Sequence, residues 1–594
     1  MKGKIILFVL FLIGVALGSK GQGLLIETEQ FQEKGGWLVD AQFVDQMGSP
    51  YLLAHGLGEP VDDAVTQVIF PEKGHYKVWV RTKDWAPFPV GPGKFKVIID
   101  GKPLKPVFGA NGEKGWRWYE GGTIHVSKRE IEIRLHDLTG FEGRCDAIYF
   151  SKDPDVTLPD DCNLDKFRKT ALSLSQTPRN EGTYDLVVVG GGVAGICAAI
   201  QAARLGVRVA LINNRPVLGG NSSSEIRVGT VGDMTQNKYP KLGQIVRLLD
   251  NSIAGLGGRN EKEYGDQQKL ELVLKEKNIS LFSNMHVNRV ICEGTRIKSV
   301  IALNLNTLEE HSFSARLFSD CTGDGMVGVL AGADYRYGRE SKAETGEADA
   351  PEKPDSLTMG TSNQWYATNI NEFSSFPIED WMLPFTDDYH FDITHSEWNW
   401  ETGFGNFHTI RHAEEIRDHN FRAIYGNWAY LKTHKPEQYG TYKLDYLAHN
   451  AGKRESNRIL GDLILSQQDV VGKKEYPDAV ITTTWGIDLH YPDPENSKRF
   501  PKQEFVAYAV HPDKLNDVYT FPYRCLYSRN IDNLFMAGRN ISVTHIALGT
   551  VRVQHCTGMM GEVVGMAASI CIKRNCFPRK VYTSYWNEMI RLLE

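Results

Sequence analysis

The hydrophobic positions change rhythm several times along the chain. Residues 5–18 form one apolar run, preceded by Lys2 and Lys4 and closed by Ala16, Leu17 and Gly18. A basic start, a short apolar centre and a small-residue end predict a cleaved export signal over 1–18 and a periplasmic or secreted protein, with an uncleaved membrane anchor as the alternative. From 23 to 153, apolar and polar residues alternate with period two in 76–82, 95–101, 131–137 and 146–150, between turns rich in Gly and Pro. That spacing predicts an all-β sandwich. Residues 154–182 lose the period and read as a linker. Beyond 183 the rhythm changes again: an apolar run at 185–189, helical spacing over 194–205 and a second apolar strand at 207–212. Strand, helix, strand at this spacing predicts an α/β fold with a parallel sheet.

The turn between the first strand and the helix holds Gly190, Gly192 and Gly195 in G-x-G-x-x-G order. In that setting the first glycine permits a tight turn, the second lets backbone N–H groups approach a pyrophosphate, and the third lets the helix pack on the sheet. The second strand ends in Asn213 and Asn214, where such folds place a ribose-binding acid. An asparagine can still accept and donate there, so losing the charge costs on the order of 1 kcal/mol and leaves the dinucleotide reading standing.

Composition narrows the partners. A net charge of -6 gives no basic footprint for a phosphate backbone, so nucleic acid is excluded as the expected partner. Nine cysteines form no metal-like CxxC pair. Cys145 with Cys162, or Cys571 with Cys576, could bridge in an oxidising compartment. His408, His412 and His419 have helical spacing, but no acid or thiol completes a set, so no metal is assigned.

Several separate motifs, GGGVAG (190–195), RPVLGGN (215–221), DCTGDG (320–325), RESNRILGD (454–462), TTWGIDLH (483–490), PYRCLY (522–527), NLFMAGRNIS (533–542) and GTVRV (549–553), carry a resemblance. From about 183 to 594 the chain resembles the bacterial FAD-dependent oxidoreductases with a glutathione-reductase-like fold. The resemblance implies a Rossmann-like FAD-binding domain over 183–594 with an inserted, aromatic-rich cap at about 345–500. It implies FAD as cofactor, held at Gly190, Gly192, Gly195, Asn213, Gly220 and Asn221, with Gly323 and Asp324 at the diphosphate and ribitol and Gly538 and Arg539 beside the flavin. The pieces of 23–153 resemble jelly-roll modules that bind carbohydrate. In some of these, acids hold a calcium, which would fall on Glu27, Glu29 and Asp146, and solvated edge carboxylates are the other reading.

For chemistry beside the flavin, Asp488 and His490 face the same way on an extended strand, so the acid could orient the imidazole as a base. His545 is a second candidate base, and Arg552 could stabilise developing negative charge or form an ion pair within the fold. Trp85, Trp116, Trp118 and Tyr119, and the rings crowded into 361–441, could stack on sugar faces or fill cores. Together these features predict an exported FAD-dependent oxidoreductase that oxidises a carbohydrate or polyol hydroxyl during polysaccharide breakdown. The expected partners are a small-molecule or oligosaccharide substrate and an external electron acceptor, without stable membrane insertion after signal cleavage. A polysaccharide lyase whose flavin does not turn over, and a sugar-binding protein with a scaffold flavin domain, are the alternatives.

Overall fold

The computed structural model describes residues 23–86, 91–512 and 518–594, so the export-signal expectation lies outside the described residues. The chain divides into two compact units. One comprises the described residues up to Val39 with Tyr51–Gln176, and the other Asp40–Pro50 with Thr177–Glu594.

The first unit is built from two antiparallel sheets. In one, Phe141–Ser151 is flanked by Tyr51–His55 and Gly74–Asp84, and Gly74–Asp84 by Gly115–Val126; the other runs Ala64–Ile69, Glu130–Asp137, Phe95–Ile99 and Lys102–Pro103. Alternation sends Val78 and Val80 of one sheet and Val97, Ile133 and Leu135 of the other into one shared core, all 0% exposed. The stretch read as a linker contains a helix, Leu164–Ala171. Its Arg168 donates to Glu27 at 2.8 Å and to Asp146 at 2.6 Å, while Arg81 donates to Asp146 at 2.8 Å. Two guanidinium groups therefore compensate Glu27 and Asp146, two of the three acids that the resemblance would give to calcium, whereas the third, Glu29, is buried with no hydrogen-bond partner on its carboxylate among the described residues, and burial raises it. Cys145 is buried and Cys162 exposed, both as free thiols, and Cys571 and Cys576 are also unbridged.

The second unit is α/β. Its seven-stranded sheet runs Ile279–Phe282, Val209–Ile212, Arg179–Val189, Glu310–Asp320, Arg296–Asn304 and Met285–Glu293, with Leu534–Met536 parallel to Glu310–Asp320. The parallel register aligns Val189 with Ile212 and with Asp320, and Asp320 with Met536. Four strands thus end together, and ligands of open parallel sheets bind beyond such ends. Helix Val193–Arg204 packs against helix Gln554–Arg574, which is long and apolar enough to cross a membrane but has 89% of its apolar window buried within the unit. Gly558, Gly561 and Gly565 line that contact, since a side chain at Gly561 would strike the Ala194 carbonyl. Between Asp320 and Leu534 lie the buried helix Ala413–His434 and the strand pairs Trp365–Asn369 with Tyr442–Leu447 and Leu489–Pro492 with Ala507–Val510, while Val480, Ile481 and Phe521 of the same stretch belong to the core of the sheet.

Candidate functional site

A cavity of about 820 Å³ opens beyond the strand ends of the second unit, within the usual range for cofactor sites. Gly190, Gly192, Asn213, Gly220, Asn221, Gly323, Asp324, Gly538 and Arg539 all line it. Gly190 has φ +107°, and a side chain there would strike the Cys321 carbonyl, so the turn requires glycine. Gly192 caps helix Val193–Arg204, and a side chain there would meet nothing closer than Gly220 at 4.0 Å. The helix N-terminus is thus bare toward the cavity and suited to a pyrophosphate. Gly195 lies outside the lining, packed so closely on the Gly190 carbonyl that no side chain fits.

Asp324 is held between Lys453 at 2.7 Å and Arg539 at 2.8 Å. Burial pushes its carboxyl up, but the two cations outweigh burial and hold it well below the usual range. The Nε of Arg539 is buried without a protein acceptor. Burial raises the neighbouring Cys321 thiol to about 12, so it stands as an inert wall.

Asn213 differs from the ribose-binding role expected of it. Its Oδ1 accepts from the Gly191 N–H at 3.2 Å, and its Nδ2 donates to the Arg215 and Val217 carbonyls, both at 2.9 Å. A carboxylate could not donate to two carbonyls, so this loop selects the amide. The side chain staples the glycine turn to the loop after the second strand.

At another part of the wall, Asp488 and His490, placed on one face by their spacing, come together with Arg552. Asp488 Oδ1 lies 3.2 Å from His490 Nε2. Arg552 Nη2 donates to Asp488 Oδ2 at 3.0 Å and to its carbonyl at 3.2 Å. Helix His545–Val551 approaches this closely because Gly549 lies on the Asp488 backbone, where any side chain would clash. Burial pushes Asp488 up, but hydrogen bonding from His490 and the charge of Arg552 hold it well below its ordinary value. No motif marks the group on the other side of the ring: Glu401, 0% exposed, bonds His490 Nδ1 and lies 3.3 Å from Arg454 Nε. Burial raises this carboxyl, while Arg454 and His490 more than reverse the effect and keep it low. Glu401 lies 89 residues from His490 along the chain, on a segment without a motif.

His545 does not line the cavity. Its Nδ1 bonds Glu455 at 2.9 Å, its backbone N–H donates to Glu340 at 2.9 Å, and its buried Nε2 has no partner. The helix start that carries it is packed into the body of the unit, away from that cavity. The crowded rings are also mostly core: Trp365, Trp381, Trp400, Phe404, Tyr425 and Trp428 are all 5% exposed or less. Trp398 is the member that lines the cavity, 43% exposed, with its ring edge-on to His490 at 5.1 Å. In the first unit, Trp85 is buried with Nε1 bonded to the Phe141 carbonyl at 3.0 Å, so it is a core ring rather than a sugar platform.

Residues 185–590 match the family described as FAD dependent oxidoreductase. The tRNA uridine 5-carboxymethylaminomethyl modification enzyme of Metamycoplasma arthritidis is 31% identical over 173 residues, covering 26% of this chain and 27% of that enzyme. The soluble pyridine nucleotide transhydrogenase of Ectopseudomonas mendocina is 48% identical over 48 residues, 8% of this chain and 10% of that protein. The chain thus spans about a quarter or less of the length of these curated relatives. Among solved structures, a geranylgeranyl bacteriochlorophyll reductase-like protein from Thermoplasma acidophilum is similar with a TM-score of 0.29 and 13% identity, over 66% of this chain and 79% of that one. With more than half its length matched, the chain belongs to the FAD dependent oxidoreductase family.

Proposed function

We propose that the protein oxidises a hydroxyl of a carbohydrate or polyol, with His490 as the base. The observation that carries this reading is the position of His490, buried between Glu401 and Asp488 at the wall of the cavity that also contains the glycine turn. The cofactor would be held by Gly190, Gly192, Gly220, Asn221, Gly323, Asp324, Gly538 and Arg539. When bound, FAD supplies the hydride acceptor. Glu401 fixes the ring through Nδ1, which presents Nε2 toward Asp488 and the cavity. There Nε2 takes the proton of a substrate hydroxyl. Arg552, which lines the cavity and holds Asp488, balances the negative charge that builds as that proton leaves. Trp398 and Trp485 offer ring faces or edges to the substrate in the same cavity.

The carbohydrate class draws its support from these rings and from the two-sheet N-terminal unit, which we read as a jelly-roll carbohydrate-binding module. The basic and apolar residues at 2–18 support export to the periplasm or beyond, where an external acceptor would reoxidise the flavin. The tRNA chemistry in the relative's name is not carried over, because the match covers so little of that enzyme and a net charge of -6 gives no footprint for a phosphate backbone.

The test is anaerobic mixing of the yellow protein with a panel of sugars, polyols and oligosaccharides. Bleaching of the flavin absorbance by one class is expected. A new unsaturated-uronate absorbance without bleaching would instead make the protein a lyase, and glycan affinity without either change would leave binding alone.

A further inference from the structure

The cofactor cavity has one wall that lies outside the family-matched region. Segment Asp40–Pro50 is flanked in sequence by strands of the first unit but clusters with the oxidoreductase unit. It is firmly held there. Asp40 pairs with Arg417, both side chains 0% exposed, and the Arg417 guanidinium lies 4.8 Å over the Phe43 ring. Gln42 Nε2 donates to the His449 carbonyl at 2.8 Å, and its Oε1 accepts from the Ala451 N–H at 3.0 Å. Gln46 Nε2 donates to the Ile410 carbonyl at 3.1 Å. Anchored this way, Gln42, Phe43, Asp45 and Gln46 line the cavity.

Asp45 is the one carboxylate among them. Its Oδ1 bonds His286 Nε2 at 2.7 Å, and its side chain remains 38% exposed. His286 follows Met285, whose N–H donates to the Asn213 carbonyl at 2.9 Å. The carboxylate therefore reaches the cavity wall at the end of the second strand, where a dinucleotide fold normally places its ribose-binding acid. Asn213 itself is committed to Gly191, Arg215 and Val217. Burial raises the Asp45 carboxyl, but the His286 hydrogen bond and charge reverse this and keep it ionised. An ionised carboxylate has acceptor capacity beyond the one bond to His286.

We propose that Asp45, brought in from outside the strand-helix-strand unit, supplies the carboxylate that accepts the adenosine ribose hydroxyls of FAD. The second strand can then spend an amide on its own loop, because the acid arrives from another part of the chain. This rests on the cofactor cavity and not on the substrate reading.

The experiment uses the full-length chain stripped of flavin, with binding followed by quenching of flavin fluorescence and by competition with nucleotides. Asp45→Ala is expected to weaken FAD about tenfold or more, as loss of hydrogen bonds to a charged acceptor does, and to leave riboflavin, which lacks adenosine, unchanged. ADP should bind the parent more tightly than 2′-deoxy- and 3′-deoxy-ADP, and Asp45→Ala should erase that preference. Asp45→Asn, isosteric and neutral, should fall between and serves if the alanine variant does not fold. FAD affinity within twofold of the parent in both variants, an undiminished deoxy preference, or an equal loss of riboflavin affinity would overturn the assignment.

Discussion

Two buried histidines in the oxidoreductase unit have nearly the same first neighbours. His490 bonds Glu401, which faces Arg454, and His545 bonds Glu455, which faces Arg458 at 2.6 Å. In both cases an ion-paired carboxylate fixes Nδ1 of an imidazole that is 4% exposed or less. They differ at the other nitrogen. His490 Nε2 meets Asp488 at 3.2 Å and Arg552 at 3.4 Å on the cavity wall, whereas His545 Nε2 is enclosed without a partner. An oriented imidazole is thus no sign of chemistry by itself. What separates the two is whether the Nε2 side of the ring lies at the wall of a space a substrate can enter.

The comparison can be broken most sharply at His490. Replacing it with Gln should slow flavin reduction by about 10²- to 10⁴-fold, the usual contribution of a positioned base, while flavin content stays at the parent level. Stopped-flow absorbance under nitrogen measures this, and unchanged reduction would end the assignment. Glu401→Gln keeps the shape but weakens the hold on Nδ1, so a loss of roughly 10- to 100-fold is expected in the same assay.

On the other side, His545→Gln should leave flavin reduction within about twofold and instead lower unfolding free energy by about 1–3 kcal/mol, because a buried carboxylate loses a partner. Urea denaturation measures it, and a variant as stable as the parent but slow in reduction would reverse the two roles. The smallest effect concerns acid. Glu401 and Glu455 are both held below their ordinary value of 4.5, for although burial raises each, Arg454 with His490 and His545 with Arg458 outweigh it. Each therefore contributes stability that is present above that value and lost as pH falls through the lower folded-state value. Melting temperature against pH should fall on the acid side for the parent and more shallowly for Glu401→Gln and for Glu455→Gln. Equal slopes would show that neither carboxylate is held low.

The local parts of the fold were legible because each is written in a short window. The glycine turn, the helix after it and the flanking strands need only Leu186–Ile212, and the structure places strand Arg179–Val189, helix Val193–Arg204 and strand Val209–Ile212 there. The pairing of Asp488 with His490 was legible for the same reason, since two residues on an extended strand share a face. Glu401 was not, because its partner lies 89 residues away and no periodicity links them. Asn213 was half legible. Its position at the strand end was clear, but the two carbonyls that claim its amide belong to a loop whose path the sequence does not reveal. The aromatic-rich stretch shows a further limit: composition marks its rings alike, yet Trp428 lies within the buried helix Ala413–His434 and Trp398 in a turn, and burial separates them at 1% and 43%.

In the proposed function His490 and Glu401 act as one proton-handling unit, and His545 and Glu455 do not. A double-mutant cycle on the rate of anaerobic flavin reduction tests it most directly. His490→Gln with Glu401→Gln should be no slower than His490→Gln alone, while Glu455→Gln should leave the rate unaltered in either background. A further slowing of the double variant, or a His490→Gln protein that bleaches as fast as the parent, would contradict it.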